Sequence, residues 1–218
     1  MKKLFAPGCA LMLYKPALAE KVHLSLQKKF GKIEKLLSCC KHVPPVPPGT
    51  ELINTCPGCD RRFRENYPDT ANISLWEVFA ENEIMQLPDY KGRKMTILDA
   101  CPARDQARIH TAVRKLAEKM NISLVEPKKT KSNSTCCGDS FFGSIPTDQV
   151  VMQMKKKAAE MPEYDVIVYC VSCVKSMFVG DRRPRYLVDL LFSEETVPRT
   201  FEPDQWHQEL DEYIETHK

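Results

Sequence analysis

The chain has 218 residues, 43% of them hydrophobic and 28% charged, with a net charge of +3 at pH 7. That size allows one good core, or two small lobes that share an interface. No apolar run approaches the ~20 residues of a membrane helix, and the slight, dispersed charge offers no nucleic-acid surface, since Lys155-Lys156-Lys157 reads as a solvated helix face.

The first residues imitate a short secretory signal: Met1-Lys2-Lys3, an apolar stretch from Leu4 to Tyr14, then Ala17-Leu18-Ala19. Pro7-Gly8 interrupts that stretch and Lys15-Pro16 ends it. We therefore read residues 3–6 as a strand running into Cys9, and expect a cytoplasmic protein. In a reducing compartment ten cysteines serve as metal ligands or redox centres rather than as disulfides. Leu18, Val22, Leu26 and Phe30 mark a helix. Cys39-Cys40 comes next, then Pro44-Pro45-Val46-Pro47-Pro48, an extended and rigid connector. Residues 51–55 read as a short buried strand leading to Cys56-Pro57-Gly58-Cys59. Beyond lie an apolar helical face with Phe63, a break at Pro68, and an amphipathic stretch with Ile73, Leu75, Val78 and Phe79.

The series then repeats. A strand at 95–99 runs into Cys101, and Ile109, Val113, Leu116 and Met120 mark the helix after it. A strand at 123–125 and a polar loop at 128–135 lead to Cys136-Cys137-Gly138. Gly138 allows a close backbone approach or a turn of positive φ. A helix at 147–159 and a strand at 165–169 precede Cys170-Val171-Ser172-Cys173. Met177, Phe178, Pro184 and then Tyr186, Leu187, Leu190 and Leu191 echo the end of the first half. The tail from Pro198, with Trp206, Leu210, Tyr213 and Ile214, is amphipathic and acidic. It suits a helix packed on the core better than a docking element.

Each half thus carries a single cysteine, an adjacent pair and a C-x-x-C. Cys9 answers Cys101, Cys39-Cys40 answers Cys136-Cys137, and Cys56 and Cys59 answer Cys170 and Cys173, at offsets of 92, 97 and 114 residues. The unequal offsets indicate an old duplication with insertions. Strand–cysteine–helix, repeated, is an α/β plan. We expect two pseudo-repeated domains at 1–92 and 93–197, and a helical tail at 198–218. Each domain should hold a small, mostly parallel sheet flanked by helices, with cysteines at strand C-terminal ends. That edge is where open α/β sheets bind ligands, and helix N-termini there suit an anionic metal–thiolate centre.

Five thiols per half are one more than a tetrahedral zinc or an ordinary cubane takes. Five make sense if one sulfur bridges two irons, a task that adjacent cysteines suit. Sulfur-only ligation selects iron–sulfur or zinc over hard cations. Redox C-x-x-C pairs and buried free thiols are the plainer alternatives.

Cys101-x34-Cys136-Cys137-Gly138-x31-Cys170-x2-Cys173 resembles the CCG cysteine-rich domain, which occurs twice in the B-type subunit of heterodisulfide reductase and in related iron–sulfur oxidoreductases. The resemblance runs from Pro7 to about Leu191. It implies that Cys101, Cys136, Cys137, Cys170 and Cys173 hold one noncubane 4Fe-4S cluster, and Cys9, Cys39, Cys40, Cys56 and Cys59 a second. It further implies reduction of a small disulfide or related sulfur substrate between the clusters, with electrons from a ferredoxin-like or flavin/iron–sulfur partner. The first half departs from the pattern. Lys41 stands at the glycine position, and fifteen residues rather than thirty-two separate the pair from the C-x-x-C, as though a helix were lost. That site could hold a cubane or a zinc instead.

His42 and Asp139-Ser140 follow the two pairs and are candidate proton donors to released thiols; exposed polar groups are the plainer reading. Arg104, Arg108 and His110 could meet an acidic substrate or the cluster's charge, or form a solvated helix face. Gly8, Gly31, Gly49 and Gly58 are scattered, and nothing matches a dinucleotide loop. A reductase built on this chain would need another protein to supply electrons. A non-catalytic electron carrier is the second reading, and a zinc-stabilised interaction module the third.

Overall fold

A computed structural model describes residues 2–217. In the first half, β1 (Lys3–Ala6) leads into α1 (Cys9–Tyr14) and α2 (Pro16–Phe30), followed by β2 (Glu34–Lys35). Next come β3 (Glu51–Asn54), α3 (Pro57–Asn66), β4 (Ala71–Ser74) and α4 (Leu75–Glu81). Proline opens both α2 and α3, where its fixed φ suits the first helical turn and its missing N–H is no loss. The four strands are all parallel, in the order β2-β1-β3-β4.

The second half repeats the plan. Strand β5 (Arg93–Leu98) is followed by α5 (Ala107–Lys119), β6 (Ile122–Val125), α6 (Thr147–Ala159) and β7 (Asp165–Val168). Helix α7 (Val171–Val179), β8 (Arg183–Tyr186) and α8 (Leu187–Leu191) complete it. Its parallel sheet has the order β6-β5-β7-β8, the same as in the first half with each strand four numbers on. The protein is therefore α/β, with two pseudo-repeated parallel sheets flanked by helices. The first half has no counterpart of α6. Between Lys41 and Thr50 the chain forms turns and extended proline-rich backbone only.

The amphipathic stretch from Ile73 to Phe79 divides between two elements: Ile73 lies in β4, and α4 begins at Leu75. The switch occurs at Ser74, whose hydroxyl accepts from the Glu77 N–H while the Glu77 carboxylate accepts from the Ser74 N–H. This reciprocal cap starts the helix at that point. Likewise Tyr186 closes β8, and α8 takes Leu187–Leu191. Pro184 sits inside β8 rather than ending an element, which its place at the sheet's edge permits.

One hydrophobic core runs through both halves. It joins Phe5, Leu18, Leu26 and Ile53 of the first to Ile97, Val113, Ile167 and Leu187 of the second. Helices α4 and α5 pack across the junction, and Trp76 meets Tyr169 edge-on at 6.2 Å. Each such large side chain contributes about 1.5–3 kcal/mol by leaving water. A smaller cluster of Leu4, Ala6, Leu52 and Phe63 lies beneath Cys39 and Cys59. The tail forms α9 (Pro203–Thr216), which packs on α1 and α6 through the buried Trp206 and Ile214. Among the described residues no helix is long and apolar enough to cross a membrane.

Candidate metal centres

The topology brings the cysteines to the carboxyl edges of the sheets. Strand β1 passes through Pro7 and Gly8 to Cys9, the first residue of α1. Gly8 turns the chain there with φ 80°, a conformation that side chains disfavour. Strand β5 reaches Cys101 in the same way, at the start of a one-turn 3₁₀ helix, Cys101–Ala103. Strands β3 and β7 deliver Cys56 and Cys170 as the N-caps of α3 and α7, with Cys59 and Cys173 in the first turns. Unpaired N–H groups and the positive dipole end of each helix therefore lie beside the thiols.

The adjacent pairs arrive on loops. Arg114 and Thr130 hold the second loop through buried Asp99: the guanidinium donates at 2.8 Å, the hydroxyl at 2.9 Å, and the Lys131 N–H at 2.6 Å. Gly138 has φ 110°, and a Cβ on it would stand 2.7 Å from the Met154 nitrogen of α6. Both roles expected of this glycine are thus present. At Lys41 the backbone is left-handed too, with φ 61°. The side chain is tolerated because no helix corresponding to α6 lies against it.

Within each half the five thiols lie close enough together to act on one another in a row. In the first the order is Cys9, Cys40, Cys39, Cys59, Cys56, with Cys39 and Cys59 sulfurs 3.9 Å apart. In the second it is Cys101, Cys136, Cys137, Cys173, Cys170. The two pairs thus run in opposite senses. Cys40 takes the place of Cys136 beside the single cysteine, and Cys39 that of Cys137 beside the C-x-x-C. Burial agrees, since Cys39 and Cys137 are buried whereas Cys40 and Cys136 are half-buried. The first pair, entered from a shortened loop, therefore faces its row in the reverse order to the second. The rows approach each other at Cys56 and Cys170, which lie within electrostatic range of one another.

Hydrogen bonding sets which sulfurs carry charge. Bonds from Cys40 and Cys59 draw Cys39 down to about 5, and the same Cys39 contact pushes Cys40 up to about 11. Cys101 and Cys137 hold Cys136 low, helped by the Ser140 hydroxyl at 2.8 Å and the Gly138 N–H at 3.3 Å. Cys137 is in turn pushed up to about 12 by Cys136. The Cys9 thiol donates to the Ser38 hydroxyl at 3.7 Å.

Among the described residues no group of three or more His, Cys, Asp or Glu side chains is disposed to hold one metal ion. The thiols stand in two rows of five instead. Their number and softness fit a multi-iron cluster and exceed what one tetrahedral zinc takes.

The other sequence candidates fare differently. The His42 Nδ1 lies 2.9 Å from the Cys40 carbonyl, so this ring stays beside the first row. Asp139 is buried and pairs with Lys175 at 2.6 Å and His207 at 3.3 Å. Burial pushes its carboxyl up, but the His207 and Lys175 contacts outweigh it and hold Asp139 below the usual carboxylate range. The Arg104 guanidinium donates to the Ser134 carbonyl beside the second pair. Arg108 is committed to Asp60 at 2.6 Å and to Glu77. His110 is buried, not solvated. Lys175, Trp206, His207 and Tyr213 were not assigned to a site from sequence. No motif marks them, and the tail reaches the thiols only through the packing of α9.

Fold and site together define a duplicated α/β protein with a set of five thiols at the edge of each sheet. Residues 95–177 match the family model of the CCG cysteine-rich domain, a stretch that contains all five thiols of the second row. That domain is found in iron–sulfur oxidoreductase-type proteins and points to iron–sulfur or metal binding. The first row lies outside the matched stretch, and its likeness rests on the repeated strand order. No curated protein matches the chain.

Proposed function

We propose that the protein is an iron–sulfur oxidoreductase component, resembling the B-type subunit of heterodisulfide reductase, that reduces a disulfide or related sulfur substrate. The observation that carries this reading is the matched pair of five-thiol sets at the carboxyl edges of two sheets with the same strand order. Cys9, Cys39, Cys40, Cys56 and Cys59 would hold one noncubane 4Fe-4S cluster, and Cys101, Cys136, Cys137, Cys170 and Cys173 the other. Such clusters, when bound, supply single electrons and a metal face for a substrate sulfur. Cleaving one disulfide takes two electrons and two protons and yields two thiols. The electrons come from a partner, a ferredoxin-like or flavin/iron–sulfur protein, because this chain carries no flavin or nicotinamide loop. The chain's own part is to bind and orient. Helix α3 and helix α7 turn their N-termini to the anionic centres, and the Cys136 sulfur is held by Ser140 and the Gly138 N–H. His42, beside Cys40, and Asp139 and Ser140, just after the second pair, are the candidate proton donors.

The test is anaerobic purification with iron, sulfide and zinc counted per chain, and an electron paramagnetic resonance spectrum. About eight irons with matching sulfide, and a signal unlike a cubane, are expected. Cys137→Ser should abolish or transform the second signal and leave much of the first. Zinc alone in oxygen-free protein would sink the proposal, and about four irons plus one zinc would confine redox chemistry to the second half.

A further inference from the structure

Helix α9 lies over both thiol rows, and it carries polar atoms that the protein itself leaves without partners. At its start Trp206 is buried and packs over the Lys175 ammonium at 5.5 Å from the ring centroid. His207 stacks on Phe142 at 3.9 Å between centroids and reaches Asp139. Lys175 is itself 2% exposed, an unusual burial for lysine. Beyond its 2.6 Å ion pair with Asp139, its ammonium has no hydrogen-bond acceptor in the protein. An ammonium has three N–H donors, so at least two point where protein offers nothing. Cys137 and Cys170 are within electrostatic range of it. Two turns further along α9, the Tyr213 hydroxyl is buried and unpartnered, within electrostatic range of Cys9. Asp211 ties the same turn to Lys41, beside the first pair, at 2.8 Å.

The first half has no such lysine. Arg61 stands two residues after Cys59, as Lys175 does after Cys173, but its side chain is 61% exposed and pairs with Glu65. Orphaned buried donors are costly, about 1–3 kcal/mol each and more when charged. Donors so placed beside two sulfur rows are positioned to take anionic sulfur as an acceptor.

We propose that α9 is an outer layer shared by both centres: Trp206 and His207 hold the Lys175–Asp139 pair against the second row as its counter-charge, and Tyr213 gives its hydroxyl to the first. This rests on the reading of the rows as iron–sulfur sites. Reduction adds negative charge to a cluster, so a nearby cation or donated hydrogen bond raises its potential and a nearby anion lowers it. Lys175 and Asp139 therefore act with opposite signs on one centre, and Tyr213 acts on the other.

The experiment is an anaerobic redox titration followed by electron paramagnetic resonance, with iron and sulfide counted on every variant. Lys175→Met should move the second centre's midpoint to more negative potential, Asp139→Asn should move it to more positive potential, and Lys175→Arg should stay near wild type. Tyr213→Phe should move only the first centre, to more negative potential. Shifts of one sign for Lys175→Met and Asp139→Asn would mean a structural role and overturn the proposal, as would unmoved midpoints at full iron content. Where a variant at Lys175 loses iron, His207→Ala, on the surface side of the pair, provides the second reading. It loosens Asp139 and should shift the second midpoint alone; a shift of both midpoints, or of neither, refutes the layer. Wild-type protein without iron would overturn the functional reading, and this one with it.

Discussion

Gly138 and Lys41 occupy the same place after their cysteine pairs, and both have left-handed backbone, at φ 110° and φ 61°. They differ in what lies against them. Alanine at 138 would carry the positive-φ cost and push its Cβ into Met154 of α6, whose backbone cannot swing aside. Gly138→Ala should therefore cost about 2–4 kcal/mol, read from chemical denaturation of the anaerobic protein. Lys41→Gly should do the opposite: it removes the strain and loses only an exposed ion pair to Asp211, so the unfolding midpoint rises. If Lys41→Gly lowers the midpoint, the Asp211 ion pair matters more than the backbone. The glycine was legible in the sequence because a residue free of Cβ next to two ligands has few other uses. The reversed order of the first pair was not legible. Cysteine spacing gives the distance along the chain, whereas the direction in which a pair faces is set by the loop that enters it, and Pro44 to Pro48 reshape that loop.

At the scale of elements, hydrophobic period and turn residues carried most of the information. Strand β1 and helix α6 lie where period and proline signals put them, because local pattern and tertiary packing agree there. At β4 and β8 the pattern showed an amphipathic stretch without dividing it, since a short strand and a short helix in succession read as one run. Helix α5 shows what periodicity alone leaves out. Its Arg108 reaches across to Asp60 of α3 and Glu77 of α4, so a polar face that resembled a solvated surface clamps the two halves together. Asp60 is fully buried and also takes Arg64 at 3.1 Å. Arg108→Ala should destabilise by about 2 kcal/mol, less than the roughly 3–5 of a fully buried broken pair, because Arg64 still covers Asp60. Urea unfolding of Arg108→Ala, Asp60→Asn and the double variant tests this. A double variant no worse than Asp60→Asn alone is expected, and strict additivity would show that the two side chains act separately.

For the whole molecule, duplication has a consequence that neither half has alone. Matching strand orders put both thiol rows at sheet carboxyl edges, and the shared core turns those edges toward each other until Cys56 comes within electrostatic range of Cys170. The sequence announced two sets of five cysteines, but their mutual approach is a property of packing between α1, α4, α5 and α7. On the proposed reading, two centres bound that near each other would not be magnetically independent, because dipolar and exchange interactions between unpaired electrons grow steeply as separation falls. With both centres in a paramagnetic state, the resonance signal should relax faster and resist microwave saturation more than the first centre's signal in Cys137→Ser protein, where its neighbour is lost or altered. Equal saturation in the two samples, at equal occupancy of the first site, would mean that the centres sit apart in the loaded protein. The Cys56–Cys170 contact would then be a feature of the thiols alone. Faster relaxation would place the two centres close enough to deliver both electrons to a single substrate.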